Sequence, residues 1–138
     1  MRSILMIAGV CIAILMAHGV GLAEDAPDCS NAQTQADMNS CSELEFQTAD
    51  AALNAQYKKT RAAMLAVDAN LEADMTGAEK ALLAGQRGWI VYRDGECEAE
   101  GFQVRGGSME PMLVSGCKAT MTRLRTKELK ELADERGN

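Results

Sequence analysis

Residues 76–97, TGAEKALLAGQRGWIVYRDGEC, decide the predicted fold. The first four, Thr76-Gly77-Ala78-Glu79, have the form of a capping box, in which a hydroxyl and a carboxylate satisfy free amides at a helix N-terminus. Apolar residues and a few polar ones then recur at helical spacing, so the sequence predicts one amphipathic helix that ends at Gly101. This stripe consists of Leu82, Gln86, Trp89, Ile90, Arg93 and Cys97.

The preceding segment predicts a longer first helix. Ser40-Cys41-Ser42-Glu43 is a second capping-box pattern, and an apolar stripe follows it at helical spacing. Residues 68–74 show little periodicity and are expected to form a turn. A short additional helix is predicted near Thr34. The stripe of the first helix consists of Phe46, Ala49, Leu53, Tyr57 and Met64.

A third helix is predicted after the glycine-rich segment Arg105-Gly106-Gly107-Ser108. Ser108 is expected to cap this helix, and Pro111 suits its first turn because that position needs no backbone donor. The sequence has no alternating strand pattern and is rich in alanine, so we predict an all-α bundle of three main helices plus the short N-terminal one. The apolar positions of the third helix are Leu113, Cys117, Met121, Leu124 and Leu132.

The N-terminal residues have the form of a secretory signal peptide. Arg2 supplies the positive start, Ile4 to Met16 is almost continuously apolar, and cleavage is expected after Ala23, which leaves one domain over 24–138. The apolar run is shorter than the roughly 20 residues of a membrane span, so no stable membrane insertion is expected after cleavage. Lipidation of Cys11 is disfavoured because the apolar run continues past it. The sequence therefore predicts an exported protein, periplasmic or secreted.

Charge narrows the class of partner. The full chain has a formal net charge of −6, and the leader removes Arg2 but no acidic residue, so the mature chain is more acidic still. Such a domain does not hold nucleic acid or an anionic membrane by charge. It attracts a cationic partner at long range, although solubility alone also explains an acidic surface.

The mature chain has no histidine, because His18 lies in the leader. This excludes nucleophiles activated by histidine and metal sites with histidine ligands. Glu96, Glu98 and Glu100 are spaced two apart, which scatters them around a helix, so no metal site is expected there. A hydrolase based on carboxylates remains as an alternative, but no carboxylate pair stands out. We therefore predict no catalytic residues, no cofactor and no enzymatic activity.

Four cysteines remain after the leader, and an even number in an exported chain predicts two disulfides. Of the three possible pairings we favour Cys29–Cys41 with Cys97–Cys117. On a single helix Cys29 and Cys41 would stand about 18 Å apart, whereas a disulfide joins α-carbons about 5.5 Å apart. The chain must then turn between them, near residues 37–40. Cys97 and Cys117 flank the two glycines, which suits a bridge across a helical hairpin.

Several motifs in combination resemble one known family, that of LprI-type lysozyme inhibitors. The resemblance covers nearly the whole mature chain, from about Cys29 to Leu132. It implies a compact helical domain with disulfides that inhibits lysozyme, the enzyme that cleaves peptidoglycan. The chain departs from those relatives that are lipoproteins or carry an additional domain. The motifs are 31–41 (NAQTQADMNSC), 49–57 (ADAALNAQY), 86–97 (QRGWIVYRDGEC), 106–108 (GGS), Cys117, Thr122, Arg125, Glu128 and Leu129.

Aromatic and amide-bearing residues of the first two helices allow a structural or a functional interpretation. Trp89, Tyr92 and Tyr57 are candidates for a ligand-facing patch, but their helical spacing favours a core position for Trp89 and Tyr57. Three polar residues are candidates for a binding cluster, but such residues on an apolar stripe are more often buried groups that hydrogen bond and fix helix register. These polar residues are Asp50, Asn54 and Gln86.

Arg93 and Asp94 are adjacent charged residues on the predicted second helix. Neighbours on a helix point about 100° apart, so the two are not expected to pair with each other. We predict instead that each pairs with a neighbouring helix, for example Arg93 with Asp50 or Asp94 with Arg125.

The loop over residues 101–110 is the best candidate for a partner-binding element. It is rich in glycine, is expected to be exposed, and is braced on both sides if Cys97 bonds Cys117. The alternative is a plain turn between helices that only caps the third one. The candidate contact residues are Arg105, Gly106, Gly107, Ser108 and Glu110.

The leading functional hypothesis is an exported protein that binds and occludes a lysozyme-type muramidase. The acidic mature chain agrees with it, because many such enzymes are cationic. The alternative is a periplasmic adaptor or structural module that binds another envelope protein and inhibits nothing.

Overall fold

The computed structural model describes residues 27–135, and the predicted signal peptide lies outside them. Helix α1 spans Gln35–Ala69, α2 spans Ala78–Gly101 and α3 spans Glu110–Asp134. A short 3-10 helix, Phe102–Val104, follows α2 directly. Residues 27–135 contain no strand, so the predicted all-α class with three main helices is confirmed. None of these helices is long and apolar enough to cross a membrane.

The three helices alternate in direction. Helices α1 and α3 run parallel. Glu43 in the first half of α1 contacts Ser115 in the first half of α3, and Thr60 further along α1 contacts Leu129 further along α3. Helix α2 runs antiparallel to both, and α1 with α3 forms the most extensive pair. This order follows from the short connections, because each helix must fold back on the one before it.

Helix α1 begins one and a half turns earlier than the sequence predicts. The Thr34 hydroxyl accepts from the backbone N–H of Asp37 at 3.1 Å, and the Thr34 N–H donates to the Asp37 carboxylate at 3.3 Å. The capping box predicted at Ser40-Cys41-Ser42-Glu43 is therefore wrong, and no separate short helix exists near Thr34. No glycine or proline interrupts residues 34–40, so each added residue extends the helix at little cost.

Helix α2 starts where predicted, but its cap comes from another part of the chain. The Asp68 carboxylate accepts from the backbone N–H groups of Gly77, Ala78 and Glu79 at 2.8, 2.8 and 3.0 Å. These three hydrogen bonds lower the pKa of Asp68. Gly77 has a φ of +143°, a conformation that favours glycine. The capping role predicted for Thr76 is wrong, since its hydroxyl donates to the Ala73 carbonyl instead.

Helix α3 has Pro111 in its first turn, as predicted, but Ser108 does not cap it. Met109 occupies the capping position, and no side chain there accepts a hydrogen bond. Ser108 contributes its backbone carbonyl, which accepts from the Asn39 side chain at 3.0 Å and ties the loop to α1.

The apolar core lies between all three helices. It is built from Leu53, Met64, Leu82 and Leu129, with Tyr57 and Trp89 packed against it as predicted. The inner face of α3 presents Ser115, Ala119 and Thr122, whose small side chains let α1 approach closely. Because this face of α3 turns inward, Leu124 of the same helix is 59% exposed. On α2, Ile90 is 39% exposed. The positions predicted for Leu124 and Ile90 on the buried stripes are therefore wrong.

The two favoured disulfides are confirmed. Cys29–Cys41 and Cys97–Cys117 each join α-carbons 5.5 Å apart. The chain reversal that the first bridge needs lies over residues 29–34, before α1, and not within residues 37–40. The second bridge fixes the end of α2 to the first half of α3.

Candidate binding surface

Arg93 organises a polar layer that joins the three helices. Its side chain is 7% exposed, and one guanidinium nitrogen donates to Asp50 of α1 at 3.3 Å and to Thr122 of α3 at 3.2 Å. The predicted ion pair between Arg93 and Asp50 is confirmed. A buried guanidinium needs such partners, because an unpaired charge in the interior is strongly unfavourable.

Asp94 pairs with another helix as predicted, but its partner there is Lys118 of α3 and not Arg125, and the expectation that Arg93 and Asp94 do not pair with each other is wrong. Asp94 accepts from the guanidinium of its neighbour Arg93 at 2.9 Å and lies 3.7 Å from the Lys118 amine. The long, flexible arginine side chain bends back over its own helix, which offsets the divergence of adjacent residues. Arg125 instead donates to Gln86 at 3.1 Å and to Glu128 at 2.9 Å.

Trp89 lies close to two guanidinium groups. The guanidinium carbons of Arg93 and Arg125 are 5.2 and 6.0 Å from the Trp89 ring centroid, and Arg93 also lies 5.0 Å from the Phe46 ring. Cation–π contacts of this kind add to the ion pairs in holding the helices together.

Two further side chains of α1 and α2, Asn54 and Tyr92, lie at the surface. Asn54 is exposed and donates to the second carboxylate oxygen of Asp50 at 2.8 Å, so its predicted burial is wrong. Tyr92 is 58% exposed. In contrast, Gln86 is buried and hydrogen bonded, as the structural interpretation predicted.

The 101–110 loop begins at Gly101, the last residue of α2, where α2 and α3 are in close contact. A β-carbon at Gly101 would lie 2.6 Å from Val114 of α3, so glycine allows the two chain segments to meet there. Gly106 has a φ of +76°, which reverses the chain in a conformation that favours glycine. The Gly107 N–H then donates to the Val104 carbonyl at 2.8 Å.

Glu110 holds the loop in one conformation. One carboxylate oxygen accepts from the Arg105 guanidinium at 2.7 Å, and the other accepts from the Gly106 N–H at 2.7 Å. Arg105 also lies over the Phe102 ring, 4.6 Å from its centroid, while 54% of the Arg105 side chain remains exposed. The loop is thus ordered by its own contacts and presents a guanidinium at its surface.

The loop brings together the five residues that the sequence analysis chose, and two exposed apolar ones that it missed. Phe102 is 58% exposed and Met109 is 44% exposed. Phe102 could have been found from the sequence, because it directly follows the helix-ending Gly101. It was missed because an apolar residue there was attributed to the apolar periodicity of α2. Among residues 27–135, no three cysteine or acidic side chains lie close enough to hold a metal ion.

These features define a class of protein: a small helical domain with two disulfides and an ordered, exposed loop between its last two helices. The family model described as lysozyme inhibitor LprI matches residues 27–129, so the chain belongs to that family. It is also similar to an uncharacterized protein of Rhizobium meliloti (strain 1021), with 53% identity over 115 residues, which cover 81% of this chain and 83% of that relative. No solved structure gives a significant match.

Proposed function

We propose that this chain is an exported protein that binds a lysozyme-type muramidase and occludes its substrate cleft. Membership in the LprI family carries the proposal. The net charge of −6 supports it, because an acidic inhibitor is attracted to a cationic enzyme. The two disulfides support export, because such bridges persist in oxidising compartments.

The inserting element in this proposal is the 101–110 loop. Lysozymes hold two catalytic carboxyl groups in their cleft. A guanidinium is well suited to carboxylate recognition because its N–H groups form paired, charge-assisted hydrogen bonds. Arg105 is half exposed, and its orientation is set by Glu110 and Phe102. A loop ordered before binding loses less conformational entropy when it enters a cleft.

The test is residual muramidase activity of a basic lysozyme titrated with the oxidised chain from Glu24 onward. We expect a stoichiometric fall in activity. Arg105→Ala should weaken the inhibition, whereas Arg87→Ala, which removes the same charge from an exposed site on α2, should not. Tight binding without loss of activity would favour the adaptor alternative. No binding to any lysozyme class would overturn the proposal.

A further inference from the structure

A second surface, distinct from the loop, has the form of a binding groove. It encloses about 680 Å³ and is lined by side chains of all three helices. We call it the acidic groove. Residues of α3 line most of its length, with Gly116 and Thr120 leaving room there, and α2 and α1 contribute further walls. The residues that determine its chemistry are Glu45, Tyr92, Glu96, Glu100, Leu113 and Met121.

The α2 wall carries negative charge that has no ion-pair partner among residues 27–135. Tyr92, Glu96 and Glu100 follow one another at four-residue intervals, so they lie on one face of α2. Among the described residues, no cationic side chain lies within 4.0 Å of either carboxylate. Like charges four apart on a helix repel each other, and a bound cation would remove that repulsion.

The part of the lining formed by Glu45 and Arg123 is nearly neutral. Glu45 of α1 lies 3.5 Å from Arg123 of α3, and both side chains are more than half exposed. An exposed pair of this kind is weak and leaves the net charge of the groove negative. The carboxylates of α2 therefore determine which ligand charge the groove accepts.

Apolar and aromatic groups complete the lining. Met112, Leu113 and Met121 of α3 are half-buried, and methionine side chains adapt to irregular apolar partners. The Tyr92 ring is 58% exposed, and among residues 27–135 no cation lies over it. An exposed tyrosine ring beside carboxylates suits the alkyl and cationic parts of a lysine or arginine side chain.

The groove is rigid and adjoins the loop. The Cys97–Cys117 bridge joins α2 to α3 at its lining, so the separation of these walls is set before binding. Glu100, directly before the 101–110 loop, and Met112, two residues after it, both line the groove. A protein that receives the loop would therefore extend over the groove.

We propose that the acidic groove receives a basic amphipathic segment of the partner protein. In this arrangement a lysine or arginine of the partner lies between Glu96 and Glu100 over Tyr92, and a neighbouring apolar side chain packs on Leu113 and Met121. The identity of the partner as a lysozyme rests on the proposed function, whereas the chemistry of the segment does not.

Gly116 offers a way to fill the groove without disturbing the fold. A β-carbon at Gly116 meets nothing within 4 Å, so Gly116→Leu projects a side chain into the groove, and leucine also favours the helix. Gly88→Leu is the matched control, because Gly88 is an open helical position on α2 outside the lining. The charge of the groove is tested with the double variant Glu96→Gln and Glu100→Gln. Its control is the double variant Glu72→Gln and Glu98→Gln, which changes the net charge by the same amount outside the groove lining.

The measurement is the dissociation constant for a basic lysozyme by titration calorimetry. We expect both groove variants to weaken binding about tenfold, the loss of roughly 1.4 kcal/mol, while both controls stay within about twofold of the parent chain. If the parent chain binds lysozyme and the groove variants bind as tightly as the controls, the proposed role of the acidic groove is wrong. The proposed function would be unaffected by that result.

If the parent chain binds no lysozyme, the proposed function fails and the groove is tested by itself. The probe is then a short peptide of alternating lysine and leucine, with a glutamate–leucine peptide of the same length as its control. Binding of the lysine peptide that Gly116→Leu abolishes and Gly88→Leu leaves intact supports the groove. Equal binding of the lysine peptide to all variants, or none to the parent chain, would overturn it.

Discussion

The Glu110 carboxylate joins the Arg105 guanidinium at 2.7 Å across the glycine turn, with its other oxygen on the Gly106 N–H. One side chain at the start of α3 thus holds Arg105 and Gly106 together, while the hydrogen bonds of Gly107 and Ser108 hold the rest of the loop. The Glu110 side chain is only 21% exposed, whereas that of Arg105 is 54% exposed. Glu110 therefore orients the Arg105 guanidinium, and Arg105 is the member of the pair that a partner protein can contact.

The first prediction concerns this ordering. Glu110→Ala should leave the free energy of unfolding within about 1 kcal/mol of the parent, because an exposed ion pair contributes little to stability. It should speed amide hydrogen exchange at Gly106 and Gly107 and weaken inhibition, because the loop would then lose more entropy on binding. Unchanged exchange in the variant would show that the backbone alone orders the loop.

The second prediction concerns Arg93. Arg93→Ala should destabilise the fold by about 3 kcal/mol, because Thr122 and Asp50 lose their common donor inside the bundle. Arg93→Lys should recover only part of this, since an ammonium lacks the planar fork of a guanidinium. Urea unfolding measures both. Arg87→Ala, on the exposed face of the same helix, should change stability by less than about 0.5 kcal/mol.

The third prediction follows from the Asp68 cap. Three backbone N–H groups lower the pKa of Asp68 below its ordinary value of 3.8. A lowered native pKa gives stability that is present above the unfolded value and is lost as the pH falls through the native one. Asp68→Asn should therefore make the free energy of unfolding less dependent on pH below about 4. Asp28 has a lowered pKa as well, through its hydrogen bonds with Ser30, and it remains in both proteins.

Chemical denaturation at a series of acidic pH values measures this effect. Asp74→Asn is the control, because Asp74 lies in the connection that follows α1 and caps no helix. Parallel pH profiles for the parent chain and Asp68→Asn would contradict the assigned cap.

The fourth prediction separates the two disulfides. Replacing either pair by alanines should lower the free energy of unfolding by about 3 kcal/mol, because the closed loops are of similar length. Only the loss of Cys97–Cys117 should also weaken inhibition, since that bridge anchors the loop and the acidic groove. Equal effects of the two replacements on inhibition, measured where both variants are fully folded, would argue against this division.

Local sequence patterns were enough to predict the all-α class, the start of α2, the place of Pro111 and the packing of Trp89 against the core. Each of these features depends on residues that lie within a few positions of one another in the sequence. The helical period determines how such residues are placed in space. The disulfide pairing was also within reach, because the spacing of the cysteines and the glycines between them restricts which bridges a hairpin can form.

The caps were predicted less well. Asp68 lies in α1 yet caps α2, so its role depends on how the connection folds back and not on the pattern around residue 76. Ser108 fits the pattern for a cap, but its carbonyl bonds Asn39 of another helix. Such contacts cross between elements and have no local signature.

The sequence by itself determined the helical fold and the family resemblance and favoured one of three disulfide pairings, because all of these depend on residue type and spacing along the chain. Only the tertiary structure decided that Leu124 faces outward, that Arg125 pairs with Gln86, and that the acidic groove exists. The physical reason is that a helical period places residues on a face but does not say where that face points. That direction is set when the small residues of α3 pack against α1 and α2 closes over both.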